Sequence, residues 1–231
     1  MKKIWHIIAL PVFVLLILFS IGCSGNKEDL KQIESLRKPV LDYQKKMLTP
    51  FLSTKAVDCH YDKHHLGYYE QLLSLISNTP LAHNDLREII EKTKGDSKKV
   101  KIFNNAAQVY NHNLFWKSIT PYKGGKLSPE MKQLIVNSFG SYERFTQLFV
   151  DACTSVFGSG WVWLIRQGTG IEIMTTSNAD TPIAYGLEPI IVLDVWEHSY
   201  YLDYQHNRAA YAETFLAHWV NWDYAYRVLT Q

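Results

Sequence analysis

A single β-hairpin set inside a chain otherwise patterned for helices is the feature that most limits the fold. Trp161-Val162-Trp163-Leu164-Ile165 reads as a strand, Gly168-Thr169-Gly170 as a turn, and Ile171 to Thr176 as the partner strand. Aromatic and β-branched runs bounded by glycine are the sequence signature of a hairpin. Pro189 to Leu193 is a third short apolar strand, and it delivers Asp194 at its end. A sheet this small buries its apolar surface only against another layer, so helices grouped around it make an α+β half.

Ahead of the hairpin the pattern is helical. From Pro39 it runs through Leu41, Met47 and Leu48 to a break at Thr49-Pro50, after which Ser53 is placed to cap the next helix. That helix is expected over about 54–76, with Val57, His60, His64, Tyr68, Leu72 and Leu73 recurring near one face. Asn78-Thr79-Pro80 ends it. A shorter helix around Leu86 to Glu91 and a strong one from Val100 to Ser118 complete a helical half. The turn-forming run from Thr120 to Lys126 reads as a linker. Ser128-Pro129-Glu130 and Ser141-Tyr142-Glu143 open two more helices, and 209–219 and 222–229 read as closing helices.

At 231 residues the chain is long enough for a substantial core. Its apolar content of 47% excludes the low hydrophobicity of disordered chains. A net charge of +2 gives no support to nucleic-acid binding, which calls for a basic domain. The N-terminus is distinct. Met1-Lys2-Lys3 is followed by an almost wholly apolar stretch from Ile7 to Ile21, then Gly22-Cys23 and a polar run. A charged start, an apolar stretch of this length and small residues at the cleavage point describe an export signal over residues 1–22. The cysteine directly after Gly22 makes it resemble a bacterial lipoprotein signal, with Cys23 lipidated and residues 23–37 as a tether. The alternative is an uncleaved signal anchor, since about 17 apolar residues is the lower limit for crossing a bilayer. Either arrangement places the rest of the protein outside the cytoplasm, tethered to a membrane. Beyond the signal only Cys59 and Cys153 remain, and two buried thiols are expected in preference to a disulfide.

Three groups of residues suggest a metal. Asp194 and His198 lie four apart in Asp194-Val195-Trp196-Glu197-His198, so helical or near-helical geometry puts an oxygen ligand and an imidazole on one face. With no Cys nearby, those ligand types suit iron or manganese. The alternative is a buried structural pair. His60 and His64 form a His-x-x-x-His pair, readable as a zinc pair or as a solvated helix face; no Glu follows the first His, so metalloprotease chemistry has no support. His112 stands four residues after Gln108, which brings a carboxamide near any metal that His112 binds.

The segments 60–68, 104–116, 157–164 and 194–201, in that order, resemble the iron/manganese superoxide dismutase family, and the similarity extends over about 41–229. It implies an N-terminal helical hairpin domain, residues 38–122, followed by an α/β metal-binding domain, residues 123–231, with a small antiparallel three-stranded sheet and the metal between the two. On this resemblance His60, His112, Asp194 and His198 match the metal ligands. His64 matches a histidine behind the ligands, Tyr68 the tyrosine at the substrate gateway, and Gln108 the glutamine that hydrogen-bonds the solvent at the metal. Glu197 and Tyr201 match residues that reach across a homodimer interface, and Lys63 and Arg208 match positive residues near the mouth of the site. Trp116, Trp161, Trp163 and Trp196 are expected as its apolar wall.

The family takes its solvent-binding glutamine from the helical domain in iron-type members and from the region matching 177–180 in manganese-type members. Gln108 in the first place and Ala179 in the second make this chain resemble the iron type. The implied activity is conversion of superoxide to oxygen and hydrogen peroxide at one iron, or manganese, ion per subunit. One other class stays open, a tethered metal-binding or interaction protein that kept the fold without turnover; a zinc hydrolase using His60 and His64 lacks a positioned general base and explains none of the other motifs.

Overall fold

The computed structural model describes residues 31–121 and 124–230. The export signal, Cys23 and residues 23–30 of the expected tether lie outside them. Residues 31–37 are not a free tether. Ile33 is buried, Asn113 Nδ2 donates to its carbonyl at 2.8 Å, and Lys117 Nζ donates to Gln32 Oε1 at 2.8 Å. An isoleucine gains roughly 1.5–3 kcal/mol by leaving water, which accounts for the docking. Residues 39–44, expected to be helical, are irregular, with only Lys45–Leu48 forming a 3-10 turn. Tertiary bonds explain this: Tyr43 Oη donates to the Trp116 carbonyl at 3.0 Å and Tyr61 Oη to the Pro39 carbonyl at 2.6 Å.

Ser53 caps the next helix, its Oγ accepting from Ala56 N at 3.2 Å. The expected helix over 54–76 is present in three stretches: α1 (Thr54–Val57), a π-helical stretch Asp58–His65, and α2 (Leu66–Ile76). α3 (Leu86–Thr93) opens on a reciprocal capping box between Asp85 and Glu88. α4 spans Val100–Ser118, and α2 and α3 both pack against it. From Ala106 to His112 every residue of α4 is buried, which makes it the central helix of this half.

The described ends of the linker are anchored to the closing helices. Thr120 N donates to the Trp219 carbonyl at 2.9 Å and Gly125 N to the Val220 carbonyl at 2.8 Å. A Cβ at Gly125 would stand 2.6 Å from Trp222 N, so only glycine lets the backbones meet there. Beyond it come α5 (Pro129–Phe139) and α6 (Tyr142–Ser155), capped by Ser128 and Ser141. The sheet then forms from β1 (Gly160–Gln167), β2 (Gly170–Ser177) and β3 (Pro189–Asp194). Its order is β2-β1-β3 and both pairings are antiparallel.

The free edge of β3 is covered by α4, where Ser118 Oγ accepts from Val192 N at 3.0 Å. Gly160 opens β1 where a Cβ would lie 2.3 Å from the Thr176 carbonyl oxygen. This close approach lets the Gly160 carbonyl accept from Val195 N at 3.1 Å, just past the end of β3. α7 (Glu197–Tyr204), α8 (Arg208–His218) and α9 (Trp222–Leu229) close the chain. The architecture is α+β: an N-terminal α-hairpin domain, then an α/β domain with a three-stranded antiparallel sheet. Arg87 on α3 ties distant parts together, donating to Glu34 at 2.6 Å and, as a bidentate pair, to Glu188 at 3.1 Å on each oxygen. Cys59 and Cys153 are both free thiols; Cys153 is buried as expected, but Cys59 is only half-buried.

Candidate metal centre

The four donor residues arrive from four elements. His60 comes from the π-helical stretch, His112 from α4, Asp194 from the last position of β3, and His198 from the first turn of α7. One donor atom from each lies within 4.8 Å of the other three. Asp194 Oδ2 stands 3.1 Å from His60 Nε2, 3.5 Å from His198 Nε2 and 3.8 Å from His112 Nε2. Donors that share one ion at about 2 Å each are separated by such spans.

Burial makes the cluster costly without an ion. His60, His112 and Asp194 are at most 1% exposed. The three Nε2 atoms and Asp194 Oδ2 are buried without a hydrogen-bond partner. Orphaned polar atoms in a protein interior each cost about 1–3 kcal/mol, and here all four face one point. A bound cation would satisfy them together, so the residues fit a mononuclear metal. Two imidazoles are held in the neutral form a metal needs. Burial pushes His60 down to about 4, with Asp194 opposing and His198 adding, and burial likewise drives His112 well below its ordinary value. Burial raises the Asp194 carboxyl, but His198 and His60 outweigh it and hold the group ionised, below the usual carboxylate range.

Bonds behind the donors fix their orientation. His112 Nδ1 lies 2.7 Å from the Gln108 carbonyl, which makes Nδ1 the N–H and turns the Nε2 lone pair inward. Asp194 Oδ1 accepts from Trp196 N at 2.8 Å, leaving Oδ2 for the site. Ser199 Oγ donates to the Asp194 carbonyl at 2.8 Å and locks the turn into α7. Asp194 and His198 are therefore not on one helical face. They straddle a strand-to-helix turn, which corrects the expected geometry while still bringing the side chains together.

The other expected residues surround this cluster. The His64 ring stacks on His198 at 4.0 Å between centroids, and Tyr68 leans on His112 at 5.6 Å. Gln108 is buried with Oε1 unpartnered. Trp116 packs on His60 at 4.8 Å, Trp161 stands edge-on to His112 at 5.0 Å, and Trp196 lies 5.7 Å from His198. Trp163 stacks behind Trp161 at 6.1 Å, with its indole bonded to Thr176 Oγ1, so it backs the wall instead of facing the donors. Phe115, 5.1 Å from His60, takes a wall position that had not been expected.

Lys63, Glu197 and Tyr201 are exposed. Arg208 is engaged: its guanidinium donates to Tyr200 Oη and to the carbonyls of Cys153, Val156 and Gly158, so it pins the end of α6 to the start of α8.

Three more contributors escape sequence reading. His65 is buried, accepts from Trp116 Nε1 at 3.2 Å through Nδ1, and stacks on His112 at 5.2 Å. A period of 3.6 residues turns it away from His60, whereas i→i+5 winding brings residues five apart to neighbouring turns. The adjacent pair His64-His65 was the only available signal. Asn111 Nδ2 reaches the Ala179 and Asp180 carbonyls at 3.4 and 3.2 Å, fastening the 178–180 loop to α4. The Asn178 carbonyl accepts both the Trp161 and Trp196 indoles, at 3.0 and 3.2 Å.

Comparison with known proteins gives two matches to family models. Residues 36–120 match the α-hairpin domain of iron/manganese superoxide dismutases, and residues 127–228 match the C-terminal domain. An iron superoxide dismutase of Synechococcus elongatus is 40% identical over 191 residues, covering 83% of this chain and 95% of the relative. A manganese/iron superoxide dismutase of Rickettsia conorii is 42% identical over 187 residues, 80% and 89% of the two chains. An iron superoxide dismutase of Escherichia coli is 41% identical over 191 residues, 82% and 96%.

Proposed function

Since the chain belongs to the iron/manganese superoxide dismutase family and is a superoxide dismutase that uses iron or manganese, we propose that His60, His112, Asp194 and His198 hold its metal, iron in preference. The observation behind this is the convergence of four buried, unpartnered donor atoms on one point. The ion supplies the alternation between trivalent and divalent states that oxidises one superoxide to oxygen and reduces the next to peroxide. The protein's part is to hold charge, exclude water and move protons. Three neutral imidazoles and one carboxylate leave the centre cationic in both states, which favours an anionic substrate. Gln108 Oε1, buried beside His112, tunes the solvent at the centre through a hydrogen bond. Tyr68 and His64, both half-buried, carry protons from solvent to the departing peroxide. Iron is favoured because the glutamine comes from α4 while small Ala179 occupies the loop position.

Glu197 and Tyr201 are exposed on α7 and suit contact with a second subunit in a homodimer. Lys63 is free to steer superoxide over distance, whereas Arg208 acts mainly as a structural tie. The enzyme works outside the cytoplasm, tethered through a lipid on Cys23. This rests on the sequence of residues 1–23; among the described residues no helix is long and apolar enough to cross a membrane. Superoxide consumption and metal content of the purified mature chain test the enzyme reading, and stoichiometric zinc without turnover would overturn it. Mass spectrometry of the N-terminal peptide tests lipidation; a mature peptide with unmodified Cys23 would defeat the lipid anchor, and one beginning at Met1 would leave the uncleaved signal as the tether.

A further inference from the structure

A cleft of about 530 Å³ lies between residues 31–40 and the helices bearing Tyr61, His65 and Trp116. Its rim carries Lys31, Arg37 and Lys38, all exposed, and no carboxylate is among the described residues that line it. Among the described residues, Glu34 is drawn to Arg87 at 2.6 Å, and Asp42 accepts at 2.6 Å from Lys117, which lines one wall of the cleft. The floor is aromatic and polar: Tyr61, Trp116 and Asn113 line it with His65, whose Nδ1 accepts from Trp116 Nε1. Val40, 69% exposed, stands at the same rim beside the basic residues. Cationic rim, polar floor and an apolar neighbour suit a phosphate attached to a lipid.

We propose that this cleft binds the phosphate headgroup of an anionic phospholipid in the membrane that carries the enzyme. The inference rests on the tethering reading above for its proximity. Seven residues separate Cys23 from Lys31, so at 3.3–3.6 Å per residue the cleft stays within about 28 Å of an anchor on Cys23. Each basic residue near an anionic surface is worth roughly fivefold in affinity. The headgroup would fix which face of the enzyme meets the bilayer, and a flexible tether alone would leave that face undetermined. Free phosphate shares the same chemistry, and the test separates the two.

The full mature chain is reconstituted into phosphatidylglycerol vesicles and, separately, into phosphatidylcholine vesicles, and amide hydrogen exchange is followed across residues 31–40. Exchange there is expected to be about tenfold slower with phosphatidylglycerol. Arg37→Glu combined with Lys38→Glu should abolish that difference while metal content and superoxide turnover stay unchanged. Equal exchange in the two lipids would overturn the proposal. Equal protection by millimolar inorganic phosphate in phosphatidylcholine would overturn it too, by making the cleft a free-anion site. Failure of the tether is read separately: an unlipidated Cys23 with phosphatidylglycerol-specific protection removes the anchor and keeps the headgroup site.

Discussion

The Gln108 carbonyl oxygen and His112 Nδ1 meet at 2.7 Å, one turn apart on α4. Gln108 thus acts twice: its main chain fixes the tautomer of His112, and its side chain presents an unpartnered Oε1 within the buried site. The two jobs are separable, because substitution removes only the side chain.

Gln108→Ala should therefore keep the metal and lose rate, by about 10–100-fold, as expected for a partner that acts on the ion through solvent. His198→Ala should lose metal and activity together. Metal analysis beside superoxide turnover distinguishes the two, and a fully active His198→Ala variant would refute its assignment as a ligand.

Gly160→Ala should destabilise the fold by about 1–3 kcal/mol, or more if the strand cannot shift, because the new Cβ meets the Thr176 carbonyl oxygen. Thermal denaturation reads the loss. Since Gly160 also accepts from Val195 N beside Asp194, metal affinity should fall with stability. A variant with wild-type melting temperature would contradict the close approach.

Arg87→Ala should cost about 1 kcal/mol, the scale of a partly exposed ionic network with bidentate geometry. The local effect is more telling. Residues 31–37 lose their Glu34 tie and should exchange amide hydrogens faster, while α4 stays protected. Unchanged exchange over 31–37 would show that Ile33 burial and the bonds from Asn113 and Lys117 hold the segment without Glu34.

Acid should weaken the metal-free protein through its buried histidines. Burial pulls His65 down to about 3, with His60 adding to the shift and Asn113 and the Val109 backbone opposing it. Its folded value lies below the unfolded one of about 6.5, so the unfolded chain takes up a proton that the folded chain refuses. The His65 contribution to instability is absent above about pH 6.5 and grows by about 1.4 kcal/mol per unit down to about pH 3. Urea denaturation at pH 7, 6 and 5 should show a shallower pH slope for His65→Gln than for the wild type. Identical slopes would mean that His65 already charges in the folded state.

Much of this was legible because local rules and tertiary packing agree. Val100 and Ser118 bound α4 as expected, and the hairpin around Gly168 fell where its glycines put it. Ser53, Ser128 and Ser141 each cap the helix they precede. What escaped reading depends on deviations that no fixed period encodes. The π-helical winding at 58–65 hid His65, and the strand-to-helix turn after Asp194 is invisible to a spacing of four. Residues 31–44 misled because hydrogen bonds to partners some 20 to 80 positions away decide their path.

The proposed donor set draws two members from the helical half and two from the half that carries the sheet. A nascent chain with either half still open offers an ion only two of its four contacts, and a two-point grip on iron or manganese is weak and easily exchanged. Retention of the ion is thus a coincidence detector for maturation, registering that both halves have closed in the correct register. With those four as ligands, a chain caught partway would hold a redox metal only weakly.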